Sequence, residues 1–117
     1  MNNETVSEKS LNFSVRIVNL RKFLVEQKKE YIMSKQLLRC GTSIGANIAE
    51  AQRGQSKADF KAKMGIALKE ASETEYWLRL LHRTNYLNQR QYKSLYEDNC
   101  ELLRMLTAIC KKSDQNN

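Results

Sequence analysis

The chain has 117 residues and carries 20 lysines and arginines against 13 acidic residues, which gives it a formal net charge of +7 at pH 7. Its length fits one domain, and its 41% hydrophobic and 28% charged residues exclude a wholly disordered chain. The lack of proline and the presence of only four glycines argue against a fold made of many tight turns. No apolar run is long enough to cross a bilayer and no signal-peptide pattern begins the chain, so we expect a cytoplasmic protein without membrane contact.

Four segments carry apolar residues at helical spacing, and none alternates as a strand does. The first two run from about residue 10 to 28 and from 34 to 52. The third runs from 56 to 84 and opens with a capping-box pattern, and the fourth runs from 88 to 112. Short polar connections join antiparallel neighbours. The sequence therefore predicts an all-α, up-and-down antiparallel four-helix bundle that fills residues 1–117 as one domain with frayed termini.

The second helix contains unusually small residues on one side. Gly41, Gly45 and Ala49 recur every four residues, although glycine inside a helix costs about 1 kcal/mol relative to alanine. This spacing predicts that the backbone of a neighbouring helix passes very close. A ligand slot opened by the glycines is the alternative interpretation.

The same helix carries polar residues on one side. Ser43, Asn47 and Glu50 stand at i, i+4 and i+7, and Glu50 is within reach of Arg53 one turn later. Glu73 on the third helix is a further candidate member. We interpret this set as a polar network that fixes helix register. An acid–base pair would need a cleft and an electrophile or metal partner, which the sequence does not supply.

The third helix has more apolar surface than one core requires. A stripe containing Ile66, Trp77 and Leu80 lies on a different side from the core-facing residues. A tryptophan clustered with two aliphatic residues on an outer face is typical of a contact surface. We therefore predict a homo-oligomer that uses these three residues. The alternative is that helices two and four of the same subunit cover them.

Another side of the third helix is basic. Phosphates require positive charge without particular base geometry, so this side is a candidate nucleic-acid contact. The interleaved Glu75 favours the alternative, an ordinary solvated face. The candidate contact residues are Lys57, Lys61, Lys69, Arg79 and Arg83.

Residue types that carry out catalysis or bind metals are sparse. Cys40, Cys100 and Cys110 have no CxxC spacing, and His82 is the only histidine, so we expect reduced thiols and no metal. No phosphate-cradling loop or nucleophile–base signature is present. We therefore expect no catalytic residue, no cofactor and no enzymatic activity.

Two motifs resemble those of a known family. Residues 43–50 fit the string Ser-Ile-x-x-Asn-Ile-x-Glu, and residues 56–60 fit Ser-x-x-(Glu/Asp)-Phe after a polar turn. Together they resemble the four-helix-bundle proteins of the 23S rRNA intervening-sequence family. The resemblance covers about residues 10–112. It departs at Ala51, where many members have a glycine.

The resemblance implies a bacterial, left-handed bundle that assembles as a ring, usually a pentamer. It also implies similarity to accessory proteins of diversity-generating retroelements, which bind nucleic acid and a reverse transcriptase. No catalytic activity is established for the family. Two functions follow as expectations: an oligomer that binds RNA or DNA phosphates through basic helix faces, or a scaffold ring that engages a protein partner without touching nucleic acid.

Overall fold

The computed structural model describes residues 4–115, which form four α-helices and no strand. These are α1 (Val6–Lys28), α2 (Met33–Gln52), α3 (Lys57–Arg83) and α4 (Gln89–Gln115). The all-α four-helix architecture predicted from the apolar periodicity is therefore confirmed.

The helix ends differ from the prediction at both termini of the chain. α1 begins at Val6 because Thr5 caps it, its hydroxyl accepting a hydrogen bond from the Glu8 amide at 3.1 Å. α4 continues to Gln115, past the predicted end near residue 112. The chain ends that were predicted to fray are thus helical from Val6 onward and up to Gln115. Residues 1–3 and 116–117 lie outside the described part of the chain.

A buried carboxylate organises the turn between α1 and α2. The chain leaves α1 through Lys29, whose φ of 55° is left-handed, and Glu30 then turns inward and is only 8% exposed. Its oxygens accept hydrogen bonds from the amides of Ile32, Met33 and Ser34 at 2.7–3.1 Å. These amides are among those at the N-terminus of a helix that lack an intrahelical partner. Glu30 therefore both satisfies the start of α2 and places its negative charge at the favourable end of the helix dipole.

The helices pack in cyclic order around one core. α2 is adjacent to α1 and α3, and α4 is adjacent to α3 and α1, so that α1 and α3 lie diagonally across the core. All four helices contribute to a continuous apolar cluster along a bundle that is 47 Å long. Its largest fully buried apolar side chains are those of Ile17, Leu24, Leu37, Ile44, Ile48, Met64, Leu78, Leu81, Leu87, Leu102 and Leu106.

Two buried polar groups cross between helices inside this core. The Asn99 amide on α4 donates to the Ala71 carbonyl on α3 at 3.0 Å, and the Thr74 hydroxyl lies 3.3 Å from the Cys40 sulfur. Burial raises the pKa of the Cys40 thiol to about 11, so this cysteine stays protonated and inert at neutral pH. A buried hydrogen bond of this kind favours one register between neighbouring helices.

The small residues of α2 allow α1 to approach closely. A Cβ built on Gly41 would lie 2.9 Å from the buried Ile17 side chain, and one on Gly45 would lie 3.3–3.4 Å from Ser10 and Ser14. One of these contacts is the Ser10 backbone oxygen. The predicted close passage of a neighbouring backbone is confirmed at Gly45; at Gly41 the space is filled by the Ile17 side chain, and Ala49 is exposed.

We expect Gly45→Leu to lower the free energy of unfolding by about 1–3 kcal/mol, because the new side chain meets Ser10 and Ser14 on α1. Gly65→Leu is the matched control. Among the described residues, nothing beyond its own helix backbone lies within 4 Å of its Cβ position, so the variant gains helix propensity, about 0.8 kcal/mol. Urea denaturation followed by circular dichroism measures both. Equal unfolding free energies would contradict the close approach.

Candidate nucleic-acid interface

The polar residues of the α2 motif do not form one network. The Asn47 amide donates to the carbonyl and hydroxyl oxygens of Ser43 at 2.8 and 3.0 Å, within α2 itself. Glu50 pairs with Lys63 of α3 at 2.9 Å instead of with Arg53, which is exposed just beyond the end of α2. The predicted grouping thus separates into independent contacts. The Ser43–Asn47 contact lies within α2, and the Glu50–Lys63 pair joins α2 to α3.

Glu73 belongs to a different cluster, closer to the start of α2. It pairs with Arg39, which also contacts Glu70 at 3.2 Å, and it accepts a hydrogen bond from the Trp77 indole at 3.0 Å. These contacts to Arg39 and Trp77 hold the pKa of the Glu73 carboxyl below its usual range. The arrangement ties α2 to α3 and fixes the orientation of the tryptophan.

The three residues predicted to mediate self-association differ in exposure. Ile66 is 40% exposed, whereas Trp77 is half-buried and packs against the core of its own subunit. Leu80 is also half-buried. Neighbouring helices of the same chain therefore cover part of this stripe, and Ile66 is its most accessible member.

The basic residues of α3 lie together on its outer side. Lys57, Lys69, Arg79 and Arg83 are exposed, and none of them forms an ion pair with an acid among residues 4–115. Lys61 is half-exposed and pairs with Asp114 of α4 at 2.6 Å. The structure thus leaves four of the five candidate cations unneutralised.

Glu75, which interleaves with these cations in the sequence, contacts α4. Its carboxylate accepts a hydrogen bond from the Tyr96 hydroxyl on α4 at 3.0 Å, which turns it toward the α3–α4 seam. Tyr96 belongs to a row of rings in which His82 stacks on Tyr92 with centroids 4.2 Å apart and planes within 4°. This row, which the spacing of single residues did not reveal, holds α3 against α4 beside the basic surface.

One end of the bundle is also basic, a feature that the sequence analysis missed. The α1–α2 and α3–α4 turns lie at this end, close to Arg79 and Arg83. The exposed cations there come from all four helices and their turns, so only the folded topology brings them together. The nearby Glu30 carboxylate accepts hydrogen bonds from backbone amides. The additional exposed cations are Lys28, Lys29, Lys35, Arg90 and Lys93.

A second missed feature is an apolar stripe on α1. Leu11, Val15 and Val18 are 66%, 53% and 38% exposed and stand at i, i+4 and i+7. Because α1 lies diagonally across the bundle from α3, this stripe faces away from the basic surface. This i, i+4, i+7 spacing is present in the sequence, but the same helix also carries a core-facing apolar set, and only that set was used to predict the helix.

Between residues 4 and 115, no group of three or more histidine, cysteine, aspartate or glutamate side chains is placed to hold a metal ion. No helix in that part of the chain is both long enough and apolar enough to cross a membrane.

Comparisons with known proteins agree with this architecture. A family model described as the 23S rRNA-intervening sequence protein matches residues 2–108. A crystal structure from Bacteroides thetaiotaomicron, described as a protein with unknown function from the S23 ribosomal protein family, is 60% identical and superimposes with a TM-score of 0.90. That match covers 92% of this chain and 99% of the other. None of the curated proteins compared with the chain is similar to it.

We expect Glu73→Gln to reduce the free energy of unfolding at pH 7 by less than about 1 kcal/mol, since the pair with Arg39 is partly exposed. Because the folded-state pKa of Glu73 is lowered, its contribution is present above the ordinary carboxylate range, about pH 4 to 5, and is lost as the pH falls below it. The difference between wild type and variant should therefore shrink toward pH 3 in urea denaturation. Glu26→Gln, an exposed site, serves as the control. A difference that stays constant from pH 7 to pH 3 would contradict the lowered pKa.

Proposed function

Because the chain belongs to the 23S rRNA-intervening sequence protein family, we propose that it is a cytoplasmic, non-catalytic oligomer that binds RNA or DNA phosphates through the outer side of α3. The observation that carries this proposal is the exposure of Lys57, Lys69, Arg79 and Arg83, none of which pairs with an acid within residues 4–115. The formal net charge of +7 adds a long-range attraction toward a polyanion.

The chemistry of such a surface suits the nucleic-acid backbone better than base sequence. Lysine and arginine on one helix side neutralise phosphates and release their counterions, which supplies affinity without base readout. Glu75 turns toward α4 and leaves the surface predominantly cationic. The proposed binding is therefore strongly salt-dependent and weakly selective for sequence.

We further propose that the protein assembles with copies of itself, as a five-subunit ring in line with the family resemblance. Of the predicted stripe of Ile66, Trp77 and Leu80, Ile66 supplies the contact, because the other two are half-buried within their own subunit. The exposed α1 stripe, which contains Leu11 and Val15, supplies an apolar face for the next copy. A ring would present several basic surfaces to one nucleic-acid strand and raise its effective affinity.

A scaffold that engages a different protein is the second candidate function. The α1 stripe favours it, because an apolar face of this kind is typical of protein contacts. In that case the positive charge serves solubility, and capture of the partner would be insensitive to nuclease.

We expect the triple variant Lys69→Glu, Arg79→Glu and Arg83→Glu to abolish most binding of a labelled rRNA hairpin or duplex DNA in fluorescence anisotropy. Each lost phosphate contact should reduce the slope of log affinity against log salt by about 1. The control is Lys22→Glu, Arg104→Glu and Lys111→Glu, which makes the same charge change at exposed sites on α1 and α4.

Equal loss of affinity in the two triple variants would show that only net charge matters. No binding by the wild-type protein at low salt would overturn the nucleic-acid proposal and favour the scaffold.

We expect Ile66→Glu and Val15→Glu each to reduce the size of the assembly in sedimentation velocity, because both place a charge on an exposed apolar site. These sites are preferable to Trp77, which also packs against its own core. Gln27→Glu makes the same charge change at an exposed site on the opposite side of α1; it is the control and should leave sedimentation unchanged. An unchanged profile for both apolar variants would remove these faces from the interface.

A further inference from the structure

A shallow cavity of about 240 Å³ lies on the outer side of α3 near its C-terminal end. It is lined by Tyr76, Arg79, Leu80 and Arg83, which stand at i, i+3, i+4 and i+7 and so share one side of the helix. The Tyr76 ring is 58% exposed. Neither arginine pairs with an acid within the described part of the chain. An aromatic ring and two free guanidinium groups therefore border the same depression.

The Tyr76 ring has one aromatic neighbour. It lies 5.1 Å from the Trp77 ring at an interplanar angle of 78°, an edge contact that leaves more than half of the tyrosine exposed. Trp77 is itself held by the core and by its hydrogen bond to Glu73, which pairs with Arg39. Because Tyr76 contacts this anchored indole and has only two side-chain torsions, stacking of a planar group on it costs little further entropy.

We propose that this cavity binds one unpaired nucleotide of a nucleic-acid strand, with the base stacked on Tyr76 and the flanking phosphates on Arg79 and Arg83. The inference rests on the proposed function and specifies its ligand as a single strand or an unpaired loop.

Three physical arguments favour an unpaired nucleotide. Every base has a π face, so stacking on tyrosine tolerates any sequence. The two arginines stand one turn apart, about 6 Å along the helix axis, and guanidinium groups bind phosphate oxygens with paired hydrogen bonds. In a duplex, neighbouring base pairs already cover the base faces, and Tyr76 then contributes nothing.

The test compares labelled oligouridylate with a labelled duplex of equal length in anisotropy titrations of the full chain. Tyr76→Ala should weaken oligouridylate binding by roughly 5- to 100-fold, the effect of losing one stacked base, and leave duplex binding unchanged. Tyr76→Phe keeps the ring and should stay within about twofold of wild type. Tyr31→Ala removes a similarly exposed tyrosine from the α1–α2 turn and should also have no effect.

Trp77 provides a second readout that does not depend on affinity. It is the single tryptophan of the chain and contacts Tyr76, so stacking of uracil on Tyr76 should change its emission. Inorganic polyphosphate has the charge without the bases and should leave the emission unchanged. The same change with polyphosphate would overturn the stacking proposal.

The outcomes separate this inference from the proposed function. If wild type binds both probes and Tyr76→Ala alters neither titration, the stacking site is wrong and phosphate binding stands. If wild type binds neither probe, both proposals fail. Equal loss in Tyr31→Ala would overturn the assignment to this cavity. Binding of polyglutamate that depends equally on Tyr76 would identify an acidic protein as the ligand instead.

Discussion

The close packing of α1 on α2 determines which side of α1 is buried and which apolar residues it exposes. Gly41 and Gly45 have no side chains to hold α1 away, and Ile17 fills the space that a Cβ would need. α1 therefore sits deep enough for its core-facing side to be fully buried, and only its opposite side remains in solvent. That opposite side is where Leu11 and Val15 lie. A bulkier α2 would shift α1 outward and disturb both the core and this outer stripe.

The distribution of charge follows from which ions find partners. Several acidic side chains are engaged between helices, such as Glu50 with Lys63 and Asp98 with Arg16, or are turned inward, as Glu30 is. Many of the remaining cations stand on the outside of α3 and at one end of the bundle. Surface ion pairs contribute little stability individually. Each pair also neutralises one acid, whereas Lys57, Lys69, Arg79 and Arg83 form no such pair within residues 4–115.

The fold was predictable because helical periodicity is a local property of the chain. The α3 basic side was predictable for the same reason, since five cations on one helix need no knowledge of neighbours. The contacts between helices were not predictable in this way. Glu50 pairs with Lys63 and not with Arg53, and Glu75 accepts a hydrogen bond from Tyr96. Both partners lie on other helices and come close only when the bundle packs. The basic end of the bundle combines residues from distant segments, and no single stretch of sequence contains it.

The seam between α1 and α4 is the thinnest of the four helix contacts, and it joins the two helices that are furthest apart in the chain. Two charged pairs, Arg16 with Asp98 and Lys9 with Glu101, join α1 to α4 along this seam. The other three seams join helices that follow each other directly and close over short turns at small entropic cost. The bundle is thus a folded strip of three hairpins whose last edge combines few close backbone contacts with charged pairs at its surface. Salt screens such pairs more than it affects buried apolar contacts, so this is the edge of the bundle that responds most directly to ionic strength.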